Sequence, residues 1–262
     1  MPTRDSAPIG SPCWADLWTS DVEDSRRFYA ELFGWEAQEP SPEFGGYFMF
    51  TRNGVPVAGA MGDMGDMGDL RANDAWKIYL ATEDIAKTVE TAVAAGAEST
   101  SPPHPVADLG VQTVLTDPTG AQLGAWQAGT FPGFTVLNEH GAPSWFELHT
   151  QDYAGAVTFY RSVFGWDTDV VSDTDQLRYT VMRDPDRDAQ LAGIMDVSSF
   201  VPAGQPSSWT VYWEVDDPGA TLSSITALGG SVVAEAQDTP HGRIATAKDP
   251  SGAEFRIRRS AR

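Results

Sequence analysis

Residues 14–35 read WADLWTSDVEDSRRFYAELFGW, and residues 145–166 read WFELHTQDYAGAVTFYRSVFGW. Each stretch opens and closes on tryptophan, places an aspartate seven residues in, and ends on a Phe-Tyr pair followed by Phe-Gly-Trp. The copies lie 131 positions apart, and Asp117-Pro-Thr-Gly lies 132 positions before Asp249-Pro-Ser-Gly. One period therefore spans almost the whole chain, and each half reads as one domain.

A weaker repeat lies inside each half. WKIYLATED begins at Trp76 and WTVYWEVDD at Trp209. Aligned on their first tryptophan, the four segments place Asp21, Glu83, Asp152 and Asp216 at the same offset. The alternation before these acids predicts a strand. The acids then stand where a helix N-cap is wanted. In the fourth copy, Asp217-Pro218 reads as an N-cap followed by proline at the first helical position. Apolar residues at helical spacing follow, such as Phe28, Leu32 and Phe33, and a glycine such as Gly34 or Gly165 closes the helix. About three short strands come next. Asn53-Gly54, the Asp184–Asp188 loop and the two Asp-Pro-x-Gly stretches mark their turns.

The fold class is therefore α+β, with four βαβββ modules. Residues 8–128 form the first domain (modules at about 9–66 and 74–128), 129–143 a Gly- and Pro-rich linker, and 144–262 the second domain (modules at about 144–198 and 207–259). GDMGDMGD, at 62–69, reads as a loop between modules 1 and 2. It lacks the bidentate glutamate of a calcium loop.

The chain has 262 residues, 41% hydrophobic and 21% charged, which suits folded domains of about 130 residues each. A formal net charge of −20 repels phosphate backbones and anionic lipid, so neither nucleic acid nor membrane is an expected partner. The single cysteine, Cys13, cannot form an internal disulfide. With no apolar leader or spanning run in the sequence, a cytoplasmic protein is expected.

The modules, the helix endings FYAELFGW and FYRSVFGW, and the strand pair around DPTGAQLGAW together resemble the vicinal-oxygen-chelate superfamily of glyoxalase, bleomycin-resistance and extradiol dioxygenase proteins. The chain is most similar to two-domain glyoxalase- or hydroxylase-like proteins of actinobacteria. The resemblance covers about residues 9–258. It implies that two modules pair and curl their strands into a cup that holds the ligand. It also implies that a four-module chain already supplies what some relatives build by dimerising, which favours a monomer over a homodimer.

Metal-dependent members of that superfamily place His, Gln or Glu at the head of a module's first strand, seven residues before the acidic cap. They place another ligand seven residues after the Asp of the DPxG turn. Here the first positions hold Trp14, Trp76, Trp145 and Trp209, and the second hold Gly124 and Arg256. An indole has no ring lone pair to give, glycine has no side chain, and arginine stays cationic. No metal and no other cofactor is expected. A displaced site using Asp16, Glu147 and His149 would draw its donors mostly from one strand.

Aromatic surface stands where ligands would. Strand alternation puts Trp14, Asp16 and Trp18 on one face, and Trp145, Glu147 and His149 on its counterpart. The tryptophan alignment adds Trp76, Ile78 and Leu80, and Trp209, Val211 and Trp213. Gln122, Gly124 and Trp126 share a face of the first closing strand, as do Glu254, Arg256 and Arg258 of the second. Seven of the nine tryptophans thus fall at expected cup positions; Trp35 and Trp166 follow helix ends and read as packing residues. The rings either fill the cups as core or stack on a flat guest, with a cation attraction of ~0.5–2 kcal/mol each.

Two functional readings stay open. The first is metal-free binding of a flat, hydrophobic small molecule, neutral or cationic, by Trp14, Trp18, Trp76, Gln122, Trp126, Trp145, Trp209, Trp213 and Arg256. The resemblance gives this a use in drug sequestration or beside a natural-product pathway enzyme. The second is an isomerase, lyase or hydroxylase-like enzyme in which Asp16, or Glu147 with His149, moves a proton. Asp16 would have a raised pKa among tryptophans, or would simply bond a tyrosine or backbone N–H. A Glu147–Arg256 pair would either plug the second cup or serve a polar ligand. His104 and His241 lie in matching loops, and His140 in the linker; all three read as surface residues.

Overall fold

The computed structural model describes residues 5–62, 73–184 and 189–261. The first module comprises β1 (Pro12–Trp18), α1 (Val22–Phe33), β2 (Glu36–Ala37), β3 (Phe48–Arg52) and β4 (Val55–Met61). The second comprises β5 (Ala75–Ala81), α2 (Ile85–Ala94), β6 (Glu98–Ser99), β7 (His104–Val106), β8 (Gly110–Thr116) and β9 (Gln122–Ala128). The third has β10 (Pro143–Thr150), α3 (Tyr153–Phe164), β11 (Thr168–Asp173), β12 (Arg178–Asp184) and β13 (Ala189–Asp196). The fourth has β14 (Ser208–Glu214), α4 (Pro218–Ala227), β15 (Ser231–Thr239), β16 (Gly242–Lys248) and β17 (Glu254–Ser260). No helix among the described residues is long and apolar enough to cross a membrane.

Modules 1 and 2 share one sheet, ordered β2-β3-β4-β1-β5-β9-β8-β6 with β7 beside β8. Modules 3 and 4 share the other, ordered β11-β12-β13-β10-β14-β17-β16-β15. In each, the two first strands run antiparallel at the centre, and each first strand pairs in parallel with the last strand of its own module. This makes two mixed, cup-shaped sheets.

Local chemistry sets the element ends. Asp21 and Asp152 cap α1 and α3 by accepting from the N–H of Asp24 and Gly155 at 2.9 and 3.0 Å. Gly34 and Gly165 end those helices in the left-handed conformation, φ 68° and 67°. Asn53 and Gly54 turn between β3 and β4 with φ 52° and 75°, as a tight hairpin with the strands' own twist requires. The Asp-Pro-x-Gly turns close with Gly120 N–H on Asp117 O and Gly252 N–H on Asp249 O, at 2.9 and 3.0 Å. Most of the 62–69 loop and of the Asp184–Asp188 loop lies outside the described residues, and so does the calcium question attached to the first.

In the even modules the caps fall one residue beyond the tryptophan-aligned acids, as the Asp217-Pro218 reading already has it for the fourth copy. Asp84 and Asp217, not Glu83 and Asp216, accept from the first turns of α2 and α4. The even copies are therefore offset by one residue from the tryptophan alignment. In a strand, one residue exchanges the two faces. Lys77 and Tyr79, not Trp76, Ile78 and Leu80, share the face of Asp16 and Trp14: the register pairs Trp14 with Tyr79 and Asp16 with Lys77. Likewise Thr210 and Tyr212, not Trp209, Val211 and Trp213, share the face of Glu147 and Trp145.

The three displaced tryptophans belong to the core between the helices and the two halves. Trp213 lies 4.9 Å from Trp35 and 5.1 Å from Trp76, ring centre to ring centre. Trp76 donates its Nε1–H to Tyr29 (3.2 Å), whose hydroxyl donates to Asp249 in the opposite half (3.0 Å). The mirror-related chain runs from Trp209 to Tyr160 (2.9 Å) and on to Asp117 (2.8 Å). Each Phe-Tyr tyrosine thus reads the other half's Asp-Pro-x-Gly turn. Trp35 and Trp166 complete the interlock by donating to Gly141 O and Gly10 O, at 2.7 and 2.8 Å. A buried indole or phenol that finds its polar partner adds orientation to the area it buries.

Candidate functional site

The other sheet face carries the same four-residue frame twice: tryptophan, acid and two tyrosines. In the first cup these are Trp14, Asp16, Tyr47 and Tyr79. Tyr47 donates to Asp16 Oδ1 at 2.9 Å, and Trp14 Nε1–H is shared between that oxygen (2.8 Å) and the Tyr47 hydroxyl (2.9 Å). In the second cup they are Trp145, Glu147, Tyr179 and Tyr212. Tyr179 donates to Glu147 Oε2 at 2.8 Å, Tyr212 to Oε1 at 2.8 Å, and Trp145 Nε1–H to the Tyr179 hydroxyl at 3.1 Å. Gly59 and Gly193 make both frames possible. They face Asp16 and Glu147 on the parallel neighbour strand. A Cβ there would sit 1.9 Å from the Tyr47 hydroxyl or 2.2 Å from that of Tyr179.

Around this common frame the cups diverge. Where the first has Gly124, Trp126 and Trp18, the second has Arg256, Arg258 and His149. Glu147 Oε1 accepts from His149 Nε2 at 2.7 Å and faces Arg256 Nη1 at 3.3 Å, while Arg256 also bonds the Tyr212 hydroxyl. The Glu147–Arg256 pair forms across β14 rather than between adjacent strands, since that strand separates β10 from β17. Burial alone would raise the Glu147 pKa. Its bond to His149, the charges of His149 and Arg256, and the Tyr212 hydrogen bond outweigh that and hold it at about 2. The same buried carboxylate drives Tyr179 and Tyr212 well above the usual phenol range, after burial itself.

In the first cup the balance reverses. Burial pushes Asp16 up to about 6, against hydrogen bonds from Tyr47, Tyr79 and Trp14 and the charge of Lys77. Burial pulls Lys77 down to about 8, with Asp16 partly offsetting it. Its Nζ stands 4.0 Å above the Trp18 ring, a cation–π contact. The linker covers this cup's end: Phe131 packs edge-on against Trp14 at 4.8 Å, and its carbonyl accepts from Trp126 Nε1–H at 2.9 Å. Gln122 is exposed at the start of β9.

A cavity of about 80 Å³ opens in the second cup, lined by Trp145, Glu147, Tyr179, Gln190, Tyr212, His241, Ile244 and Arg258. His241 is exposed, as expected, and also stands at this cavity's wall. His104 is exposed, beside Gln112 at 2.9 Å, and His140 pairs with Asp216 at 3.3 Å.

These residues do not fit a divalent metal. Counted from the true caps, the strand-head positions hold Trp14, Lys77, Trp145 and Thr210, and the closing-strand positions hold Gly124 and Arg256. Glu147 has both oxygens engaged by phenols, imidazole and guanidinium. Among the described residues no three His, Cys, Asp or Glu side chains stand close enough to share an ion.

The family comparisons agree with the topology. The Glyoxalase/Bleomycin resistance protein/Dioxygenase superfamily matches residues 142–257, and a glyoxalase-like domain matches residues 14–124. The chain is 36% identical over 264 residues to the Mycobacterium tuberculosis protein CFP32, a provisionally assigned glyoxylase, covering 100% of this chain and 99% of that protein. It is 36% identical over 265 residues to the anthracycline biosynthesis protein DauV of Streptomyces sp. strain C5, covering 95% and 92%. Among solved structures, a catechol 2,3-dioxygenase superposes with TM-score 0.63 at 14% identity over 98% of this chain and 90% of that one. The Mn(II)-bound glyoxalase of Novosphingobium aromaticivorans gives 0.62 at 16%, over 95% and 82%. Likeness at such identity speaks for the fold alone. The chain belongs to the glyoxalase, bleomycin-resistance and dioxygenase superfamily, with two domains of that kind in tandem.

Proposed function

We propose that this protein binds a small, flat organic molecule in its second cup, without a metal ion. The observation that carries the reading is the cavity there. It has an indole and an isoleucine for walls, two phenols and a guanidinium for polar contacts, and a carboxylate already neutralised beneath them. Such a mix of apolar wall and few directed polar groups suits an aromatic ligand with oxygen substituents. The relative named for anthracycline biosynthesis supports a polycyclic guest and a role beside pathway enzymes. Trp14, Trp18 and Trp126 of the first cup serve mainly as packing in this reading, and the protein acts from the cytoplasm as a monomer. Calorimetric titration with a hydroxylated anthraquinone tests it. Saturable binding that Ile244→Trp abolishes by filling the mouth supports the reading. No saturation, or binding unchanged in that variant, refutes it.

One observation favours an enzyme instead: Asp16 is buried within hydrogen-bond reach of Tyr47 and Trp14, and that burial raises its carboxyl pKa to about 6, where it can exchange a proton near neutral pH. In this second reading the first cup handles a small carbonyl compound. Solvent deuterium exchange into hydroxyacetone, followed by proton NMR, tests it. Exchange lost in Asp16→Asn supports it; no exchange, or exchange retained in that variant, removes it.

A further inference from the structure

The second cup holds two arginines, and one of them is only loosely matched by its carboxylate. Glu147 is matched by Arg256, with His149 and two tyrosines filling its remaining acceptor sites. Arg258 is the remaining cation on the cavity wall. Its Nη2–H donates to Ser144 O at 2.9 Å, but its Nε–H is buried and makes no hydrogen bond. The acid beside it, Glu214, stays 3.8 Å from that Nε and spends both oxygens on Ser260, accepting from its N–H and its hydroxyl at 2.8 Å each. The Nε–H is closed off with only the 3.8 Å Glu214 contact, so the guanidinium is incompletely compensated where it lines the cavity, and an anionic ligand there would complete it. Gln190 and His241 add polar groups at the same wall, and no free carboxylate lines it.

We infer that the ligand of the second cup carries an anionic oxygen, a carboxylate or an ionised phenol or enol, and that Arg258 binds it. This rests on the second cup being the binding site and names the charge of what it takes. It also reverses what the chain's net charge of −20 suggests, because local wall charge outranks a screened surface field at contact distance. A planar fork over a flat acid gives two charge-assisted hydrogen bonds, which lysine at the same place would not reproduce.

The test uses 2-naphthoate and its neutral isostere 2-naphthamide, titrated calorimetrically at pH 7.5 into the wild type, Arg258→Gln and Arg258→Lys. The wild type should bind naphthoate about 10-fold or more tighter than the amide. Arg258→Gln should erase that preference by weakening naphthoate far more than the amide, and the amide binding that persists also reports an intact cup. Should Arg258→Gln not fold by circular dichroism, Arg258→Lys decides: it should weaken naphthoate by about 3-fold or more relative to the amide. Equal binding of the two probes by the wild type overturns the inference and leaves the second-cup reading standing. So does a preference that survives at Arg258→Gln, or at Arg258→Lys where that variant is the one that folds. Binding of neither probe overturns both.

Discussion

The two cups start from one frame and end at opposite electrostatics. In each, a tryptophan and two tyrosines surround an acid, and a glycine on the next strand lets the first tyrosine approach. In the first cup, apolar Trp18 and Trp126, and a Gly124 covered by the Tyr79 ring, leave burial in command, so Asp16 rises to about 6. In the second, His149 and Arg256 overrule burial, so Glu147 falls to about 2. The frame is common to both cups, while His149 and Arg256, standing where the first cup has Trp18 and Gly124, set whether the acid's pKa is raised or lowered.

The largest break should come from Arg256→Gly, which gives the second cup the first cup's residue. It strands a buried carboxylate, so urea unfolding at pH 7 should show a loss of about 3–5 kcal/mol, and the Glu147 pKa should climb. Glu147→Gln removes a group whose folded pKa lies below its unfolded value. The stability that the ionised group adds is present above pH 4.5 and is lost as pH falls toward 2. Wild type should therefore exceed this variant by on the order of 3 kcal/mol at pH 7, with the gap closing in acid.

Asp16→Asn should behave oppositely. Its folded pKa lies above the unfolded value, so the buried protonated form stabilises the wild type in acid, and that contribution is lost as pH rises through 6. From pH 4.5 to 7.5 the variant should gain on the wild type by on the order of 2 kcal/mol in paired urea melts. The smallest contrast is between the tyrosines. Tyr179→Phe, facing an ionised acceptor, should cost about 1.5–3 kcal/mol at pH 7, against about 1 kcal/mol for Tyr47→Phe measured at pH 5, where Asp16 is protonated.

Much of this architecture was legible in the residues. The 131-residue period, the helix-ending glycines and the Asp-Pro-x-Gly turns lie close along the chain and need no tertiary knowledge. The tryptophan alignment puts the wrong face of the even strands inside, because it matches Trp76 and Trp209 to Trp14 and Trp145, one residue off the observed register. The Asp217-Pro218 signature of a cap held the remedy: counting back from it puts Thr210 and Tyr212 inside and sends Trp209 and Trp213 to the interface. Tyr79 and Tyr212 stand at the same offset in KIYL and TVYW, so they too were recoverable once the offset was right. Tyr47 and Tyr179 were not. They reach their acids across a neighbouring strand, and only the opposed Gly59 and Gly193 hint at the room they need. The cross-half bonds of Tyr29 to Asp249 and Tyr160 to Asp117 span 220 and 43 residues, beyond any local signal.

Carboxyl carbon NMR titration of Asp16 and Glu147, assigned by comparison with Asp16→Asn and Glu147→Gln, addresses the divergence of the cups most directly. The account predicts midpoints near 6 for Asp16 and near 2 for Glu147. Two ordinary midpoints close together near 4 would contradict it.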